Sequence, residues 1–124
     1  MKESVLSEKS FSFALRIVKL YKHLVAEHKE YVLSKQVLRS GTSVGANIEE
    51  SKHAQSKMDF VHKLAIAQKE ASETNYWIRL LRESEYLDEK LAISLTSDCE
   101  EIQRMLTASI KTAKTNIEKG KGSR

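Results

Sequence analysis

The sequence predicts an all-α protein: one domain over residues 1–124, folded as an antiparallel up-and-down four-helix bundle. Three observations carry that prediction. The 124 residues include no proline and only four glycines. Four segments repeat apolar residues at the three- and four-residue spacing of a helix that buries one face. The connections between them are short, which makes sequential helices antiparallel neighbours.

The first helix is expected over about 8–28. Phe13, Ile17, Leu20 and Leu24 form one stripe, with Ala14, Val18, Tyr21 and Val25 beside it. A face this broad belongs to a globular bundle rather than to a narrow two-stranded coil. Past Glu30 the second helix runs over about 32–53. Its apolar positions Leu33, Val37, Val44 and Ile48 are spaced as a helix, yet the intervening Ser40, Gly41, Ser43, Gly45 and Ala46 are small. Each glycine costs a helix interior about 1 kcal/mol relative to alanine. Close approach of a neighbouring backbone at Gly41 and Gly45 is the expected compensation. Ser56 with Asp59 three residues on is a capping box opening the third helix, 57–84. Its seam is Phe60, Leu64, Ala67, Ala71, Thr74, Ile78 and Leu81, and Ile66, Glu70, Glu73, Trp77 and Leu80 run beside that. Asp88 is the expected cap of the fourth helix, 88–118, whose stripe comprises Leu91, Leu95, Cys99, Ile102, Leu106, Ile110, Ala113 and Ile117. Residues 119–124 form a basic tail.

Folding the second helix back on the third at Ala54–Gln55 sets Arg39 opposite Glu70, and Ser40 and Gly41 opposite Lys69 and Gln68. A guanidinium suits a carboxylate pair, so Arg39 is expected to engage Glu70 or Glu73. Asn47 is expected to face inward near Val61 or His62 and to bond a backbone group that fixes helix register. Arg39, Ser40, Asn47, Glu70 and Glu73 thus form a structural polar core. The competing reading makes Arg39, Asn47, Glu50 and Glu70 an active site. Apolar residues cover more of the third helix than one core needs. Tyr76, Trp77 and Leu80 are therefore candidate oligomer contacts, unless Trp77 simply closes its own bundle.

Function classes can be narrowed. No apolar run approaches the roughly 20 residues of a membrane span, and the N-terminus lacks the apolar stretch of a signal peptide. One cysteine, Cys99, fits a reducing cytoplasm and lies on the core stripe as a small apolar residue. The four histidines show no metal-binding spacing, and no metal or cofactor is implied. The glycines and serines of residues 39–45 lack both a preceding strand and the order of a phosphate-binding loop. No set of groups converges on a catalytic centre, so the reading is non-enzymatic.

The net charge of +4 is concentrated at one end. Residues 111–124 hold Lys111, Lys114, Lys119, Lys121 and Arg124 against Glu118, and the rest of the chain is neutral. Arg16, Lys19 and His23 share the polar side of the first helix, with Lys22 adjacent. Arg16, Lys19, Lys22, Lys111, Lys114 and Lys121 are the candidate contacts to a nucleic-acid backbone. A solvated face and a solubilising tail would look the same.

Two segments, LRSGTSVGANIEES (38–51) and KLAIAQKEASETNYWIRLL (63–81), resemble the bacterial four helix bundle family, first described as proteins encoded in intervening sequences of 23S ribosomal RNA genes. The likeness covers nearly the whole chain. Family members often read RSxxSIxxNIAEG; here Val44 stands for the isoleucine and Glu49-Glu50-Ser51 for Ala-Glu-Gly. The resemblance implies a ring-forming oligomer, typically a homopentamer. It also implies a more distant relation to the accessory variability determinant of diversity-generating retroelements, a basic pentamer that binds nucleic acid and a reverse transcriptase. The expected partners are the chain itself, RNA or DNA, and a partner protein, with no membrane. The first expectation is a cytoplasmic oligomer that holds phosphates; the alternative is a protein-interaction scaffold without nucleic-acid affinity.

Overall fold

The computed structural model describes residues 2–122, with side chains for 5–120. Among the described residues there are four helices and no strand: α1 (Lys2–His28), α2 (Leu33–Ser51), α3 (Lys57–Glu83) and α4 (Glu89–Gly122). Each helix packs on its chain neighbours and α4 closes on α1, giving an up-and-down four-helix bundle. α1 begins earlier than its stripe suggests because Leu6 joins the core, and α4 ends later because it continues as helix beyond the buried core. α2 ends two residues sooner than expected, at Ser51.

The caps follow local chemistry. Ser56 Oγ accepts the Asp59 N–H at 3.0 Å, and Asp88 Oδ1 accepts the Leu91 N–H at 2.7 Å, both as the sequence indicates. The start of α2 is different. Val32 offers no side-chain cap, and the Glu30 carboxylate accepts the N–H groups of Val32, Leu33 and Ser34 at 3.2, 3.0 and 2.7 Å. α1 ends at Lys29, in the left-handed region (φ 53°), which returns the Glu30 N–H to the Leu24 carbonyl at 3.0 Å.

The core is formed by the predicted stripes. Phe13, Ile17, Leu20 and Leu24 meet Val37, Val44 and Ile48, then Leu64, Ala71, Ile78 and Leu81, and Leu95, Cys99, Ile102 and Leu106. Ile110, Ala113 and Ile117 continue the α4 stripe only partly covered. Close approach is present at one of the two α2 glycines, but it is by a side chain and not by the expected backbone. A Cβ on Gly41 would stand 2.8 Å from both γ carbons of Ile17, which is fully buried. A Cβ on Gly45 would meet only ordinary contacts, 3.5 Å from the Ser10 carbonyl oxygen. The close neighbour at Gly41 is therefore an α1 side chain, not a backbone.

The α2–α3 register also departs from the expectation. Ser40, expected opposite Lys69, lies beside Thr74, whose hydroxyl is 3.0 Å from Ser40 Oγ and donates to its own Glu70 carbonyl at 2.8 Å. Lys63 pairs with Glu50 at 3.1 Å. α3 thus starts about 9 Å, at 1.5 Å per residue, beyond the end of α2, because residues 52–56 run along the bundle axis before turning.

Candidate nucleic-acid interface

Of the six candidate phosphate contacts, the structure neutralises one. Arg16 Nη1 sits 2.6 Å from Asp98 Oδ2, joining α1 to α4 beside a second pair, Lys9–Glu101 at 3.1 Å. Arg16 is therefore a seam residue, because helical spacing turns it toward α4 instead of solvent. Lys19 and Lys22 are exposed on α1. Lys111 and Lys114 are exposed on α4, while the side chain of Lys121 lies outside the described residues. The α1–α4 ion pairs set Lys19 nearly level with residue 95, so Lys111 lies about 25 Å further along the bundle. The candidates do not form one surface.

What surrounds Lys111 and Lys114 was not legible from charge alone. They line a groove of about 470 Å³ with Gln68, Thr107, Ile110, Thr115 and Glu118. Gln68 and Thr107 also line a second groove of about 620 Å³, with Ser72, Glu100, Gln103 and Arg104. The two form a trough along the α3–α4 seam. Side-chain amides make its floor. Gln68 Nε2 donates to the Gln103 carbonyl at 3.1 Å and to the Thr107 hydroxyl. Asn75 Nδ2 donates to Gln103 Oε1 at 2.8 Å, and Gln103 Nε2 to Ser72 Oγ at 3.1 Å. Two amide oxygens of this ladder, Gln68 Oε1 and Asn75 Oδ1, are buried without a donor. Arg104 was not among the sequence candidates; its signal is the spacing 104, 111, 114 on the α4 flank that faces α3.

The proposed polar core is a surface cluster instead. Arg39 reaches Glu70 at 3.2 Å and also Glu73, but its side chain is 49% exposed. Glu73 further accepts the Trp77 Nε1–H at 3.1 Å. That bond, with the Arg39 pairing, outweighs desolvation and holds the Glu73 carboxyl below its usual range; Glu73 in turn raises the Arg39 guanidinium. Asn47 does bond a backbone group, but within its own helix: Nδ2 donates to the Ser43 carbonyl at 2.9 Å, a bond that sets no register with α3. Only Ser40 of the five is fully buried. Glu50 pairs with Lys63, away from Arg39, so the alternative active site is not assembled. Trp77 packs against its own core, Leu80 is half-buried, and Tyr76 is 51% exposed. Sequence reasoning overlooked the most exposed apolar pair on α1, Phe11 (66%) and Leu15 (51%), one turn apart and off the core stripe. Among the described residues no three His, Cys, Asp or Glu side chains are grouped to hold a metal, and no helix is long and apolar enough to cross a membrane.

The family model of the 23S rRNA-intervening sequence proteins matches residues 2–108. The chain belongs to that family. A crystal structure from Bacteroides thetaiotaomicron, described as a protein of unknown function from the S23 ribosomal protein family, is 54% identical to this chain. The match covers 90% of this chain and 99% of that one, with a TM-score of 0.89. No curated protein matches. Lys111 and Lys114 lie beyond the matched residues.

Proposed function

We propose that this member of the intervening-sequence protein family is a non-enzymatic, self-associating bundle that binds RNA or DNA phosphates through the basic end of α4. The observation that carries this reading is the trough wall: Arg104, Lys111 and Lys114 lie along one flank of α4 and enter none of the ion pairs among the described residues, whereas Arg16 is consumed by Asp98. Phosphate contact by such residues is sequence-tolerant and falls steeply with salt. Self-association multiplies it. A homopentameric ring, the assembly implied by the family resemblance, would carry +20 from five copies at +4 each. The compartment consistent with the lone buried cysteine is the cytoplasm.

A second reading is a protein-interaction scaffold. It draws on the exposed Phe11 and Leu15 and on Tyr76 at the edge of α3. Fluorescence anisotropy with labelled single-stranded RNA and duplex DNA separates the two, measured from about 50 to 200 mM salt. The proposed function requires micromolar or tighter binding that weakens with salt and is lost in Lys111→Glu/Lys114→Glu. Absence of binding at low salt overturns it in favour of the scaffold.

A further inference from the structure

We infer that the α3–α4 trough is a single-strand site, in which a nucleic-acid strand lays its phosphates on Arg104, Lys111 and Lys114 and turns its bases toward α3. The inference rests on the phosphate-binding reading above and adds the place, the strand form and the base-facing side. Three features of the trough point to it. The α4 wall carries the cations Arg104, Lys111 and Lys114, with Glu100 and Glu118 also lining the grooves. The floor is a ladder of side-chain amides, and Gln68 Oε1, on a residue that lines both grooves, is buried with no donor among the described residues. A base edge or a sugar hydroxyl supplies donors of the kind this acceptor lacks.

The third feature is the α3 lip. Tyr76 follows Ser72, a lining residue, by one helical turn on the same face, and Arg79 follows by two. The Tyr76 ring is half exposed and is held edge-on to Trp77, with centroids 5.1 Å apart at 73°. An anchored, exposed aromatic beside a cationic track is a stacking platform. From Arg79 to Lys114 the track runs about 25 Å at 1.5 Å per residue, enough for several nucleotides. In a duplex the base edges are paired and the faces stacked, so only phosphates would reach this recessed floor. The amides and Tyr76 would then contribute nothing.

The test compares a labelled 12-nucleotide single strand with its own duplex by anisotropy, on the full chain. The single strand should bind about tenfold tighter. Arg104→Ala/Lys111→Ala/Lys114→Ala should reduce the slope of log affinity against log salt by about 2, at roughly 0.7 per phosphate on a single strand. Tyr76→Ala should weaken binding about fivefold or more while Tyr76→Phe restores it. Circular dichroism and sedimentation of each variant separate lost contacts from lost fold or altered assembly. Equal affinity for duplex, or an unchanged affinity in Tyr76→Ala, overturns the single-strand site and leaves phosphate binding standing. Undiminished binding by the triple variant removes the trough altogether. No binding of either form removes the parent reading as well.

Discussion

Gly41 and Gly45 occupy consecutive turns of one helix, yet they have opposite roles. At Gly41 a methyl group would press on the γ carbons of Ile17, a buried β-branched side chain with no freedom at χ1 to yield. Gly41→Ala should cost about 1–3 kcal/mol of overpacking, only partly offset by helix propensity. Gly45→Ala meets ordinary contacts and should gain about 0.5–1 kcal/mol. Urea denaturation of both variants, with unchanged m-values, checks the pair of signs. Cys99 offers a second residue-scale test. Desolvation, reinforced by Glu100 and Asp98, pushes its thiol up to about 12, and Sγ lies 3.3 Å from the Ala71 carbonyl. It is a neutral thiol at every pH where the protein is handled. A thiol reagent at pH 8 should leave the native protein unmodified and label it fully in denaturant.

At the scale of elements, the start of α2 is held by a side chain that a search for Ser, Thr, Asp or Asn caps passes over. Glu30 gathers three backbone N–H groups and the Ser34 hydroxyl lies nearby, accepted by the Glu30 carbonyl at 2.8 Å. Desolvation opposes ionisation, but the bonds from Ser34, Leu33 and Val32 prevail and lower the carboxyl from its ordinary 4.5. A depressed carboxyl stabilises the fold fully above its unfolded value and loses that contribution as pH falls through the folded one. Stability should therefore drop below about pH 4.5, and Glu30→Ala should flatten this part of the profile while costing about 0.5–2 kcal/mol near neutrality. Thermal melts of both proteins between pH 3 and pH 7 measure it. The caps of α3 and α4 were legible because Ser56 and Asp88 act at their own N-cap positions. Glu30 was not, because its reach depends on the left-handed turn at Lys29.

For the whole molecule, the balance between apolar cover and exposed surface decides assembly. The second line on α3, Ile66 through Leu80, looked like surplus for another subunit, but it runs along the α2 edge and is half-buried within the chain. Exposed large apolar side chains include Phe11 and Leu15, one turn apart on α1. Sedimentation velocity should find wild-type protein as an oligomer and Phe11→Ser/Leu15→Ser shifted to monomer with its helical content intact. An oligomer that survives that change would place the contact elsewhere, with Tyr76 the next residue to alter.

Helical periodicity determined the four-helix fold, the core stripes and the buried thiol, and the residue types at 56 and 88 determined two of the three interhelical caps. All of these depend on local spacing, which a chain carries in one dimension. The Arg39–Glu70 pairing was also legible, because a long side chain spans an error of one turn in register. Tertiary structure alone decided the rest. The axial run of residues 52–56 set Ser40 against Thr74, rotation of α1 joined Arg16 to Asp98, and the α3–α4 seam brought Gln68, Gln103 and Arg104 to one trough. Those outcomes depend on how far one helix slides and turns against another. That displacement is set by packing across the whole bundle, and no single segment encodes it.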